Sequence, residues 1–264
     1  MRRLPLLLLL VLPLLVGGCL EVDSEARLDE TGRGAFSETV TIDTDKLALA
    51  RSIFEERARD IGADPAALGT FMRFDMASWL KALRAAEGID EVRGAAHPSP
   101  EGTRRFVLEG RFRDLEAYFT VGPVDDMEVA LWREDEGKLW HLDARSLYDD
   151  EALDVATRKT LRTFRRQLLD PFRPALGDLR IQRTLVFPTT VRSSNGTIAE
   201  DRRTVTWTIG FEELTDPASL RQTVVFEHAP QLKLTPFGRR PAVAKAKPAA
   251  KAKPATKAEG PSKK

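Results

Sequence analysis

The chain has one cysteine, and its position removes every disulfide-stapled fold from consideration. Cys19 closes the run Leu15-Val16-Gly17-Gly18-Cys19, which follows Arg2-Arg3 and an apolar stretch from Leu4 to Val16. A charged start, a short apolar segment, small residues and then a cysteine is the pattern of a bacterial lipoprotein signal. The thiol is the nucleophile that such processing needs. It takes a diacylglyceryl group, and cleavage before it frees an amine for a further acyl chain such as palmitate. On this reading Cys19 is the lipidation site. An ordinary secretory signal, or a buried free thiol, is the competing reading of the same residues. Either way no disulfide can form within the chain, so the exported part must be held by packing alone.

The apolar run of roughly 13 residues is shorter than the ~20 residues a bilayer-spanning helix needs. No later stretch of that length is free of charge, so attachment is expected through lipid, and two or three acyl chains hold a protein firmly where one does not. Leu20 follows the cysteine where an aspartate would resemble an inner-membrane retention signal. The expected location is therefore the cell membrane or the outer membrane, facing the periplasm or the exterior.

Charge divides the chain in two. The net charge is +1, from 41 basic and 40 acidic residues. Arg2 and Arg3 leave with the signal, and the segment from Gly238 onward carries nine basic residues against Glu259 alone. That leaves 30 basic and 39 acidic residues in 19–237, a net of −9. The tail repeats Lys-Ala-Lys-Pro at 245–248 and 251–254. It has too little apolar bulk to offset its ordering entropy and is expected to be disordered. Export argues against nucleic acid as its partner; anionic lipid or a cell-wall polymer suits the same charge.

Within the body, residues 20–28 alternate, with Leu20, Val22, Ser24, Ala26 and Leu28 on one face. That is a half-buried strand. Asp29–Gly34 turns the chain into a second strand bearing Phe36, Val40 and Ile42, on whose apolar side Glu38 also falls. A strand end or a sheet edge is the simplest account of that glutamate. Asp45 is placed to cap a helix running to about Gly62, and Asp75 one ending at Gly88, with Trp79 in its core face. Period-two patterns return between Glu91 and Leu147, and again over 180–187, 188–196, 204–211 and 222–227. Asn195-Gly196 marks a turn, and Trp207 faces inward. Between them, Asp149–Asp170 reads as the longest helix. Its inner stripe is Leu153, Ala156, Leu161, Phe164 and Leu168, with Arg158, Lys159, Arg162, Arg165 and Arg166 opposite. Arg158, Arg162, Arg165 and Arg166 are the candidate contacts to anionic headgroups; a solvated or acid-paired face is the plainer account of the same cations.

Catalytic signatures are missing. His97, His141 and His228 lack ligand spacing, and no nucleophile elbow, phosphate loop, dinucleotide fingerprint or zinc-protease motif occurs. The acidic groups Asp125-Asp126 and Asp149-Asp150-Glu151 suit turns and caps. No catalytic residue, metal or cofactor is expected.

Two segments resemble one family. The strand–turn–strand from Cys19 to Ile42 is similar to the opening of LppM-type bacterial lipoproteins. Phe187-Pro188-Thr-Thr-Val191, Asn195-Gly196 and Thr204-Val-Thr-Trp-Thr208 resemble that family's closing pattern. The resemblance implies an α+β domain with a curved sheet of lipid-binding type and no catalytic assignment. Residues 45–180 do not match in detail, and the Lys/Ala/Pro tail stands where the family has a hydrophobic segment. The expected organisation is a signal peptide at 1–18, a single α+β domain at 19–237 and a basic tail at 238–264. A curved, mainly antiparallel sheet with about three packing helices is expected in the domain. The expected role is a lipid-anchored envelope protein with a non-catalytic ligand- or lipid-binding domain; the alternative is a structural tether joining membrane to cell wall through the tail.

Overall fold

The computed structural model describes residues 20–60, 76–120, 127–134, 136–146, 155–214 and 216–238. The signal segment, Cys19 and the tail from residue 239 lie outside them. The chain opens with β1 (Leu20–Leu28) and β2 (Gly34–Asp43), an antiparallel pair in register from Leu20↔Ile42 to Leu28↔Gly34. Alternation predicts this pair because one face is buried: Val22, Ser24, Ala26 and Leu28 lie inward with Phe36, Glu38, Val40 and Ile42. Helix α1 (Thr44–Asp60) follows. Asp43, not Asp45, caps it, accepting hydrogen bonds from the Asp45 and Lys46 amides at 3.0 and 2.9 Å. Then come α2 (Met76–Ala85), β3 (Ile89–His97), β4 (Thr103–Phe112) and α3 (Leu115–Thr120). Next are β5 (Met127–Arg133), β6 (Leu139–Ser146) and α4 (Val155–Leu169). A 3-10 turn at Asp170–Phe172 leads into α5 (Arg173–Leu176) and β7 (Arg180–Val186). The chain continues through β8 (Val191–Ser194), β9 (Thr197–Ile198), β10 (Thr204–Ile209), α6 (Phe211–Leu214) and β11 (Gln222–Glu227).

The α+β class is as the sequence predicts, but the strands form two sheets, not one. The larger has the order β3-β4-β2-β1-β7-β10-β9 and the smaller β5-β6-β11-β8. Most pairings are antiparallel; β1 with β7 is parallel, Glu21 opposite Arg180 through Arg27 opposite Val186. The smaller sheet covers part of the larger one. Trp140, Leu142, Val224 and Phe226 share a cluster with Ala26, Phe36, Leu185 and Trp207. Helices α2 and α3 close the same cluster beside β3 and β4 through Leu83, Leu115 and Phe119. A second cluster lies at the end of the sheet where β1 starts. It joins Ala50, Phe54 and Ala58 of α1 to Leu169, Phe172, Leu176, Ile209 and Phe211.

Trp207 is buried as predicted, 6% exposed. Asn195 holds it there by side-chain chemistry: its carboxamide oxygen accepts from Trp207 Nε1 and from the Thr223 amide, both at 2.8 Å. Gly196 is required by close approach, since a Cβ there would stand 2.8 Å from both Thr206 O and Trp207 Nε1.

Helix α4 corrects its predicted facing. Ala156 and Phe164, assigned to the inner stripe, are exposed, Phe164 by 43%. The inward direction is instead set by Leu169, with Leu161, Arg165 and Leu168 half-buried. Leu153 lies outside the described residues.

Candidate functional site

The registers of five strands put one row of side chains across the middle of the larger sheet's buried face. It runs Leu108, Glu38, Ser24, Arg183, Trp207. Its three polar members separate the main apolar cluster from a smaller one of Val22, Val40 and Ile42. Ser24 Oγ donates to Glu38 Oε1 at 3.2 Å and lies 2.9 Å from the Tyr118 hydroxyl, which then supplies the proton to Ser24. Arg183 donates to Gln222 Oε1 at 3.3 Å and sits over the Phe119 ring, 5.5 Å from its centroid. Ser24, Glu38, Tyr118, Arg183 and Gln222 are each 5% exposed or less.

Burial dominates the electrostatics of this row. Desolvation pushes the Glu38 carboxyl above the usual carboxylate range, against the opposing charge of Arg183 and the Ser24 hydrogen bond. Tyr118 is pushed up for the same first reason, with Arg183 again opposing. A buried polar row of this kind fixes which residues face each other, because any slip in register would strand a charge in apolar surroundings. Its members are sealed from solvent, so a substrate has no path to Ser24. Glu38 is therefore not at a strand end or sheet edge: β2 is flanked by β1 and β4, and the residue is central. The sequence signal for its partner was Arg183, which occupies the inward register between Ile181 and Leu185.

The predicted site residues lie elsewhere. Cys19 is outside the described residues, but Leu20, the next residue, starts β1. Arg162 is exposed and pairs with Asp216 at 3.0 Å. Arg166 is exposed, whereas Arg165 is half-buried and belongs to the inward side of α4, so it does not share the exposed basic face expected of it. The Arg158 side chain is outside the description. Helix α4 carries these cations and Lys159 with no acidic residue between them.

At the opposite end of β1 the chain's last described segment is strapped down. The Lys233 amide donates to Glu30 O in the β1–β2 turn at 2.9 Å, and Leu131 and Phe237 exchange backbone hydrogen bonds of 2.9 and 3.0 Å. Gly238 follows with φ +70°, where a Cβ would stand 2.1 Å from Val129 O, so only glycine fits. The strap fixes where residue 239 departs.

Surface clefts among the described residues carry charge, part of which is already paired. One of ≈ 360 Å³ is lined by Glu25, Arg27, Glu91 and Arg111 among others; Arg27 pairs with Glu25 at 2.7 Å and Arg111 with Glu91 at 3.6 Å. Another, of ≈ 500 Å³, contains Asp90 and Arg113. The bidentate bond from Arg113 holds the Asp90 carboxyl below the usual range. Among the described residues no helix is long and apolar enough to cross a membrane.

No family model matches the chain, and no curated protein does. Among solved structures it is similar to the NMR structure of the folded domain of the Mycobacterium tuberculosis LppM protein, at 11% identity and a TM-score of 0.42. The likeness covers 83% of this chain and 95% of that one.

Proposed function

We propose that the chain is a lipid-anchored cell-envelope protein without catalytic activity, and that its domain is a spacer between membrane and an anionic cell-wall polymer. Lipid on Cys19 holds one end, and the basic tail reaches from the other. The observation that supports this is the separation of the two exits. The lipidated residue would adjoin Leu20, at the start of β1, while the strap that leads to the tail is bonded at Lys233 to the turn that ends the same strand, and its Gly238 lies against Val129 of β5. Nine residues at ~3.3 Å each put the start of β1 and that turn about 30 Å apart. A body of net −9 is repelled by anionic polymers, so attraction has to come from the tail. Several charged groups in the clefts described above, Arg27 with Glu25, Arg111 with Glu91 and Arg113 with Asp90, are already paired, which favours the tether over a ligand-binding domain.

The test compares the full chain with one lacking residues 239–264, both non-lipidated through Cys19→Ser. Binding to isolated cell wall should be lost with the tail and should weaken steeply with salt, as the screening length shortens. Binding that survives the deletion would assign recognition to the domain instead, and absence of binding by the full chain at low salt would reject the tether.

A further inference from the structure

We propose that the helical end of the domain, α1 with α4, lies on the bilayer surface, with Leu49 and Phe164 entering the headgroup layer and the cations of α4 resting on anionic lipid. The inference rests on lipidation of Cys19, and it assigns a second, protein-borne contact to the same membrane.

Connectivity gives the first reason. Between a lipidated Cys19 and Leu20 there is one peptide link, at most ~3.6 Å of reach, so the start of β1 is held at the headgroups. The elements at that end are fixed by register. Leu20 pairs with Ile42, two residues before α1 begins, and Glu21 pairs with Arg180, the first residue of β7. The path from α4 through α5 ends at that strand start. The second apolar cluster, built from Ala50, Phe54, Leu169, Phe172 and Leu176, ties α1 to the C-terminal end of α4 there.

Exposure gives the second reason. Single exposed apolar side chains are ordinary, but their placement here is not scattered. Among the described residues the large hydrophobic side chains left exposed are Leu49, at 41%, and Phe164, at 43%. One lies on each of the two helices that share this end. Leu49 is in the second turn of α1, and Phe164 is five residues before Leu169, where α4 meets the second cluster.

Charge gives the third. The body is acidic, yet α4 carries five cations and no acid. Lys159 and Arg166 are exposed, and neither has an ion pair among the described residues. Arg162 is shared with Asp216. An acidic domain tethered within a few ångströms of anionic lipid would be pushed away unless the side that meets it were basic, and each cation near such a surface attracts it. A second copy meeting this face through its own α4 would present the same cations and be repelled by them; a bilayer carries the opposite charge.

The test uses the mature, lipidated protein in vesicles of phosphatidylglycerol and phosphatidylcholine. The acylated Cys19 sulfur is blocked, so Leu49→Cys, Phe164→Cys and Glu30→Cys each supply one reactive thiol for a nitroxide label. Glu30, exposed in the β1–β2 turn, is the distant control. The mass of the mature N-terminus is read first, so a failure of lipidation is told apart from a failure of docking. With lipidation in place, labels at 49 and 164 should gain collisions with oxygen and lose them with an aqueous nickel chelate, while the label at 30 stays in water. The effect should weaken in vesicles of phosphatidylcholine alone. Labels at 49 and 164 that remain as aqueous as the control would overturn the proposal. So would labels shielded from both relaxants, since that result signifies burial against protein.

Discussion

The buried row makes an asymmetric prediction that separates its two charges. Glu38 and Arg183 are 3% and 5% exposed. A carboxyl can shed its charge by taking a proton, whereas a guanidinium in a protein cannot. Glu38→Met therefore leaves Arg183 as an uncompensated buried cation at every pH, and should cost about 3–5 kcal/mol. Arg183→Met leaves an acid that is free to stay protonated. Its loss should be small in acid and grow with pH, by about 1.4 kcal/mol for each pH unit between the unfolded and folded values. The sign follows from the raised carboxyl: the folded state keeps a proton that the unfolded chain gives up, so stability is greatest below the ordinary carboxylate value and falls as pH rises through the raised one. Removing Arg183, which opposes that rise, widens the window. The double variant has no buried charge in the row and should lie within about 2 kcal/mol of the parent. Urea denaturation of the non-lipidated protein at pH 5 and pH 8, followed by circular dichroism, reads all four corners of the cycle. An Arg183→Met loss that does not grow between pH 5 and pH 8, or a double variant at the sum of its parts, would refute the reasoning.

Three further substitutions test the packing around that row and the strap. Trp207→Ala removes a buried aromatic and the donor to Asn195 and should cost about 3–5 kcal/mol, seen as a sharply lowered Tm; an unchanged melting curve would mean that β10 faces the other way. Tyr118→Phe keeps the ring against Phe112, with centroids 5.3 Å apart, but drops the hydroxyl on Ser24, and should cost only about 1 kcal/mol in urea. Gly238→Ala cannot keep φ +70° or clear Val129 O, so the Leu131 amide, bonded to Phe237 O, should exchange its proton faster while Val224 in β11 stays protected.

Much of the fold was legible because burial imposes a period. The alternation of residues 20–28 matches the burial of β1 residue by residue from Val22 onward, and Trp207 falls inward on the same rule. Period carries no information about partners, however. The parallel pairing of β1 with β7 joins segments far apart in sequence, and local pattern could not reveal it or the division into two sheets. Glu38 shows the cost. Judged alone it suggested an exposed edge, and only the register that sets it near Arg183 makes it a central residue. Helix α4 fails differently, since its sequence offers two overlapping apolar stripes. Leu161, Leu168 and Leu169 lie inward, and Ala156 and Phe164 outward, in a helix that runs through the 3-10 turn at Asp170–Phe172 and joins the second cluster through Leu169 and Phe172. Arg165 can sit on that inward side by laying its aliphatic stem on apolar surface.

The parallel pair also decides what the two ends of the domain can do. Because β2 runs back against β1, α1 begins at the end where β1 starts, and because β7 runs with β1, α4 and α5 must return to that same end. Because β10 runs back against β7, its C-terminal end brings Ile209 and Phe211 to the same place. The other end is left to tight turns and to the strap from Ala229 to Gly238. If α4 rests on anionic lipid as proposed, a basic tail attached at the helical end would fold back onto that same lipid and gain no reach. Leaving instead after a strap bonded to the β1–β2 turn at Lys233 and to β5 at Phe237, it starts beside Val129 of the smaller sheet and not among those helices. On the proposed reading, a tail that starts away from the membrane-facing helices has its cations available to an anion other than that lipid.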